Sequence, residues 1–308
     1  MRALVISGFG GTDVLEIRDV PVPEPGDEQV RVRVEAAPVH PVDLNTREGH
    51  LAGMLPGRSS YVLGWDAAGT IDALGPRVTG LAPGDRVCGM SDWLGTLAGT
   101  QAEFVVLDAA AVVRVPASMS AAAASTIPGN GYTAWQALDL LDPEPGERIA
   151  VTGAGGAVGG YTLELARARG LEVIGLGSAQ DREFVTSRGG TLVERSPDPA
   201  AAIRAVAPGG VAGLVDTALL GMAVIGAVRD GGKFIAALQH RAPAPERGVQ
   251  VSSFLVHSDA RPLAELIALA DGGVLTPRVA QTIPLDNAAY AHSVLAKGGV
   301  RGRLVLVP

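Results

Sequence analysis

"VTGAGGAVGG", residues 151–160, holds five glycines in ten positions. Glycine in a surface linker needs no explanation, but glycine between a strand and a helix means that something must approach the backbone closely. The flanks supply that context. Upstream, residues 149–153 form a short apolar run that reads as a buried strand, and downstream "AVGGYTLELARARG" has helical spacing, which predicts a helix over 157–169. The loop between them carries Ala154-x-Gly156-x-x-Gly159, the dinucleotide fingerprint with alanine in its first place. Small residues are needed there for a sharp turn after the strand, for close approach of backbone to a pyrophosphate, and for tight packing of helix on strand. A pyrophosphate would accept hydrogen bonds at the helix N-terminus, favoured by its partial positive charge. Ala154, Gly155, Gly156, Ala157, Val158 and Gly159 are therefore the candidate phosphate-binding residues, with a merely tight strand-to-helix turn as the alternative.

The rest of the chain supports the nucleotide reading. After Arg148, apolar strands alternate with helices: "RIAVTG", then "LEVIGLG", "TLVE", "VAGLVDTA" and "KFIAALQ", separated by helical stretches that include "AQDREFVTSRG", "PAAAIRAVA" and "LGMAVIGAVRD" (220–230). This rhythm implies a doubly wound parallel sheet, an α/β fold of Rossmann type. The first third is different. "MRALVIS" and "DVLEIRDVP" read as a hairpin, and "EQVRVRVEAAPV" alternates valine with charge, the mark of a half-exposed strand. "GTIDALGPRV", "GDRVCGM", "AEFVVLD" and "VVRVP" continue as short strands between Gly/Pro turns, so this part is a β-rich barrel or sandwich. "SMSAAAASTIPGNGYTAWQALDLL" is helical in composition, with Ser118 or Ser120 able to cap it. Beyond residue 255 a helix, a strand, a further helix and a last strand follow, and this tail is placed to rejoin the β-rich part.

The second strand of the nucleotide unit bears on the cofactor. An NAD site usually ends that strand with an acid that holds the ribose hydroxyls. Here it ends "VIGLGSAQDR", with Gly177 and Ser178 in that place and Arg182 within reach. A hydroxyl beside a guanidinium suits a 2′-phosphate, because arginine offers a charged, forked donor. The expected cofactor is NADPH, with Ser178 and Arg182 as its 2′-phosphate ligands, although the charge of Asp181 is an unwelcome neighbour.

Bulk properties narrow the classes further. The chain has 308 residues, 47% hydrophobic, with a formal net charge of −7, which affords a large core and argues against nucleic acid as a partner. Its one cysteine, Cys88, excludes a disulfide within the chain and a cysteine-rich structural zinc site. Only four apolar residues, Ala3–Ile6, precede Ser7, too few for a signal peptide, and Asp216 interrupts the apolar stretch 210–228, so no membrane span is expected and the default location is the cytoplasm.

Taken together, these stretches resemble the zinc-independent quinone oxidoreductases of the medium-chain dehydrogenase/reductase superfamily. The likeness rests on "AAPVHPVDLNTREG" (36–49), "YVLGWDAAGTIDALGPRVTGLAPGDRV" (61–87), "AEFVVLD" (102–108), "TIPGNGYTAWQAL" (126–138), the glycine stretch and the tail "GGVRGRLVLVP" (298–308). The resemblance implies a GroES-like catalytic domain from residues 1–120 and 256–308, a Rossmann domain from 121–255, a cleft at their junction, and a homodimer. It implies transfer of a hydride from NADPH to a quinone or an α,β-unsaturated carbonyl. Zinc-dependent relatives in the same superfamily use a Cys, His–Glu and Cys set, and alignment puts His40, Trp65–Asp66 and roughly Thr126 in those places. Indole does not ligate, so no metal is expected. Candidate polar groups for the reacting centre are His40, Asp43, Asn45 and Asp66, and the resemblance places Asn130 and Thr133 beside the nicotinamide. Asparagine at 45 is a poor acid, which leaves the proton source open between His40 and solvent. Two other readings share the fold: a biosynthetic reductase or cyclase for a polyketide-like substrate, and a non-catalytic NADPH-binding sensor or structural protein.

Overall fold

The strand after Pro145 is where the parallel sheet begins. The computed structural model describes residues 1–308 and holds six strands in that sheet: β1 (Arg148–Thr152), β2 (Glu172–Gly177), β3 (Thr191–Glu194), β4 (Val211–Asp216), β5 (Val228–Ala236) and β6 (Gln250–Ser253). Their order is β3-β2-β1-β4-β5-β6 and every pairing is parallel. The order reverses direction at β1, so the loop after β1 stands at the topological switch point, where doubly wound sheets bind their ligands. Continuous apolar runs explain the burial of these strands on both faces: Ile149, Ala150 and Val151 in β1 and Leu214 and Val215 in β4 are all buried. Phe234 of β5 packs with Leu214, Ile174 and Ile203 in the core of the unit.

The helical stretch expected over 220–230 is a single turn, Met222–Ile225. Strand propensity at its end wins. Val228 pairs with Val211 and opens β5 five residues before Lys233, and a register irregularity between Val211 and Gly213 absorbs the extra length. The helix over 118–141 is two helices, Ala121–Ser125 and Pro128–Leu141. Pro128 can start a helix but not continue one. Ser120 caps the first, its Oγ accepting from the Ala123 amide at 3.2 Å, while Ser118 Oγ donates to Asp271 at 2.6 Å.

The β-rich part is built around the long strand Gln29–Pro38, whose Val30, Val32 and Val34 alternate inward. It lies antiparallel to Asp66–Leu74, to Phe104–Asp108 and to the terminal strand Arg303–Val307. Arg303–Val307 also pairs in parallel with Val279–Pro284, so the tail does return to this sheet. A smaller sheet joins Leu15–Asp19, Arg2–Ile6 and Tyr61–Val62, and contains the hairpin read from the first twenty residues. The contacts divide the chain into one unit of Met1–Gly129, His257–Asp271 and Pro277–Pro308 and another of Asn130–Val256 with Gly272–Thr276. No helix is long and apolar enough to cross a membrane.

Candidate functional site

In the nucleotide unit the glycine loop turns at Gly153, whose φ is +64°. The sharp turn is thus one residue earlier than the fingerprint's first place. Ala154 is buried and takes its place in the wall of the unit, its amide donating to Leu176 O at 3.1 Å. Gly156 caps the helix Ala157–Ala168 in extended conformation, and the first intrahelical bond runs from the Gly160 amide to Gly156 O at 3.0 Å. The amides of Ala157, Val158 and Gly159 therefore have no intrahelical acceptor and point out of the helix start. Gly159 permits the tight approach: a Cβ there would lie 2.2 Å from Gly153 O. The loop has the form that a dinucleotide pyrophosphate needs, with donors at a helix N-terminus and no side chain at the point of contact.

At the end of β2 the arrangement is less simple than the sequence suggests. Asp181 does not face solvent. It is 3% exposed. Its Oδ2 accepts from both the Ser178 amide at 2.8 Å and the Ser178 hydroxyl at 2.7 Å. Arg182 pairs with Glu194 at the end of β3, with both side chains about half exposed.

In the β-rich unit, the second residue beyond the long strand and the first residue of its neighbour meet. His40 caps the helix Pro41–Arg47, and its Nε2 stands 2.9 Å from Asp66 Oδ2. The contact is short, yet His40 Nε2 forms no hydrogen bond. Asp66 Oδ2 also accepts from the Gly129 amide at 3.0 Å. Asp43 turns back to the strand end, where its Oδ2 accepts from the His40 amide at 2.7 Å and from Gln101 Nε2 at 3.2 Å. Burial pushes the Asp43 carboxyl up to about 6, with Asp66 adding to the rise and His40 opposing it. Of six buried side-chain atoms that have no hydrogen-bond partner, five belong to this group: His40 Nε2, Asp43 Oδ1, Asp66 Oδ1, Thr100 Oγ1 and Gln101 Oε1. Such atoms are rare in folded proteins, so their concentration in one place makes this group the candidate polar centre of the unit.

Asn45 does not join that group. Its Oδ1 lies 3.3 Å from His50 Nδ1 on the outer part of the helix. Asn130 is buried and Thr133 half-buried, both on Pro128–Leu141. Trp65 packs against buried Trp93 in a tilted arrangement, with ring centroids 5.8 Å apart. Cys88 is buried, and burial raises its thiol far above the ordinary value, so it is inert packing. Sequence reasoning passed over Gly153, Thr100 and Gln101. The φ of Gly153 has a signal in the "TGAGG" run, whereas nothing in a single sequence distinguishes Gln101 from a surface glutamine.

Comparison with known proteins fits this geometry. Residues 26–117 match the alcohol dehydrogenase GroES-like domain and residues 171–306 the zinc-binding dehydrogenase family. The chain is 34% identical over 306 residues to the pikromycin polyketide synthase component PikAII of Streptomyces venezuelae, a match covering 92% of this chain and 8% of that protein. It is 34% identical over 192 residues to the quinone oxidoreductase of Lama guanicoe, covering 62% of this chain and 56% of that one. Among solved structures, an NAD-dependent alcohol dehydrogenase superposes with a TM-score of 0.87 at 31% identity over all of both chains. A mycobacterial protein in complex with NADPH superposes at 0.86 and 25% identity, again over all of both. The chain belongs to the medium-chain dehydrogenase/reductase superfamily and within it is quinone-oxidoreductase-like. It spans less than two thirds of the length of these two curated relatives.

The zinc that one matched family name carries finds no donor set here. A catalytic zinc needs three protein ligands. No three His, Cys, Asp or Glu side chains are grouped to hold a metal ion.

Proposed function

We propose that this protein is an NADPH-dependent oxidoreductase that delivers a hydride to a quinone or an α,β-unsaturated carbonyl without a metal. The observation that carries the reading is the loop after β1: a left-handed Gly153, a Gly156 cap and free first-turn amides at the switch point of a six-stranded parallel sheet. Ala154, Gly155, Gly156, Ala157, Val158 and Gly159 would hold the pyrophosphate, Ser178 and Arg182 the 2′-phosphate, and Asn130 and Thr133 the nicotinamide. A relative solved with NADPH supports the choice of cofactor, and the quinone oxidoreductase relative supports the acceptor.

When bound, the nicotinamide supplies the hydride, which is the hard part of the chemistry. The chain's share is to orient the acceptor, to balance the negative charge that develops on its carbonyl oxygen, and to manage one proton. His40 is suited to the proton. It is an imidazole, 7% exposed, with its Nε2 against Asp66 Oδ2. Asp43 has a positioning role: through the His40 amide it fixes the strand-to-helix corner from which the imidazole projects. Asn45, with its amide at the helix surface, is an acceptor contact rather than an acid.

One observation supports a second reading. The chain is 34% identical to a polyketide synthase component over 92% of its length, so a biosynthetic reductase or cyclase acting on a polyketide-like substrate is the alternative. A non-catalytic NADPH-binding role is the third. NADPH consumption with a panel of quinones and enones separates catalysis from mere binding, and product mass separates reduction, which adds two hydrogens, from cyclisation, which adds none. β3 and β6 are the two edge strands of the parallel sheet, and a homodimer through an edge of this sheet is part of this proposal, to be tested by sedimentation.

A further inference from the structure

A buried amide spans the corner from which the imidazole of His40 projects. Gln101 is fully buried, and its Nε2 donates to Pro38 O at 3.2 Å and to Asp43 Oδ2 at 3.2 Å, across 63 and 58 residues of chain. Pro38 ends the long strand and Asp43 lies in the helix that His40 caps, so one side chain holds both arms of the corner with His40 between them. The helix start is already closed without it, because the His40 amide donates to Asp43 Oδ2 at 2.7 Å. What Gln101 adds is a tie between that turn and the strand end. A carboxamide has two N–H donors, and both are used here. Turned over, it would set its oxygen against a carbonyl and a carboxylate, so the two acceptors fix the way it faces. The main chain of Gln101 is held as firmly. Its amide donates to Leu63 O at 2.9 Å, and its carbonyl accepts from the Leu4 amide at 2.8 Å. Gly64 allows this approach: its φ is +107°, and a Cβ there would sit 2.6 Å from Gln101 N. Two residues after Gly64 comes Asp66, whose Oδ2 stands 2.9 Å from His40 Nε2. Gln101 is thus joined to both sides of that contact, by its side chain to the corner that carries the imidazole and by its main chain to the segment that leads to the carboxylate.

We propose that Gln101 is the positioning residue of this polar centre: by clamping Pro38 and Asp43 it holds the His40 imidazole against Asp66. It acts through Asp43 and not on the reacting atoms. The inference rests on the reading that His40 manages the proton of the reaction.

The test compares the unaltered chain with Gln101→Met and Gln101→Glu. Methionine keeps the length of the side chain and removes both donors; Gln101→Leu takes its place if that variant does not fold. A glutamic acid side chain still donates to Asp43 while it carries its proton, and burial beside Asp43, Asp66 and His40 favours the protonated form at acid pH. Gln101→Met is expected to lower kcat by about tenfold or more, with the affinity for NADPH unchanged in calorimetry. Gln101→Glu is expected to recover most of that loss below about pH 6, measured against the unaltered protein at the same pH. If the methionine variant turns over like the unaltered protein, or if the acid variant does no better than methionine at low pH, Gln101 only fills space and the inference falls. NMR of histidine-labelled protein gives a readout that needs no turnover. The ring signals of His40 are expected to move in Gln101→Met, while those of the exposed His240 and His257 stay. If the unaltered protein reduces no acceptor, the proposed function falls and this measurement decides for Gln101: displaced His40 signals support the clamp, and unmoved ones overturn it.

Discussion

His292 gives the β-rich unit an acid-sensitive point whose size follows from its surroundings. It lies on the helix Ala288–Lys297, fully buried, with Nδ1 3.3 Å from Nη1 of the buried Arg47. The arginine is the donor, so the ring is neutral and Nδ1 accepts. Burial, and then the charge of Arg47, push the imidazole down to about 3 from an ordinary value of 6.5. Above pH 6.5 neither the folded nor the unfolded chain carries this proton, and the site costs nothing. As pH falls below 6.5 the unfolded chain takes up a proton that the fold refuses, and stability is lost until about pH 3. At pH 4 the loss is about 3 kcal/mol, from some two and a half units at 1.36 kcal/mol each. Asp43 acts in the opposite sense: with its carboxyl raised to about 6, it gains stability as pH falls from 6 toward 3.8, so the unaltered protein feels a partial cancellation. His292→Leu removes only the first effect. Urea unfolding at pH 7 and pH 4 is expected to show the variant less stable at pH 7, where Arg47 loses a partner, with that deficit shrinking by about 3 kcal/mol at pH 4. Parallel pH dependence in the two proteins would refute the reasoning.

Four further outcomes are expected. Gly159→Val places side-chain atoms where even a Cβ meets Gly153 O at 2.2 Å, so binding of both cofactors is lost in a titration. Asp66→Asn keeps an oxygen for the Gly129 amide but removes the charge beside His40; turnover is expected to fall by about tenfold or more with cofactor affinity unchanged, and the pH profile of kcat to move. Glu164→Ala takes away the buried carboxylate that holds Arg188 and accepts from the Thr276 amide at 2.9 Å, and thermal unfolding is expected to register a loss of about 3 kcal/mol. Exhaustive chelation is expected to leave acceptor-dependent turnover unchanged, because the side chains present do not form a zinc site.

Much of the fold was legible because its signals are imposed by the backbone. The glycine loop must have small residues wherever strand, helix and phosphate converge, and parallel strands buried on both faces must be apolar throughout. The return of the tail was legible from its strand-helix-strand pattern. The segment 220–230 was not, because "LGMAVIGAVRD" is apolar with no period that separates helix from strand, and the pairing of Val228 with Val211 decides it. The candidate polar cluster was partly legible: His40, Asp43 and Asp66 do come together, but Asn45 is turned to His50. Gln101 reaches Asp43 from 58 positions away, a contact with no local signature. Asp181 was visible as a charge in the sequence, but its direction depends on the one-turn return to Ser178, which only the structure reveals.

The central claim is that the chain uses NADPH to reduce a conjugated carbonyl acceptor. The direct test follows NADPH absorbance with the purified chain and a quinone, an enone or no acceptor, and weighs the product by mass spectrometry. The account predicts oxidation of NADPH only when an acceptor is present, and a product heavier than the acceptor by two hydrogens. Binding of NADPH with no consumption for any acceptor, or a product of unchanged mass, would contradict it.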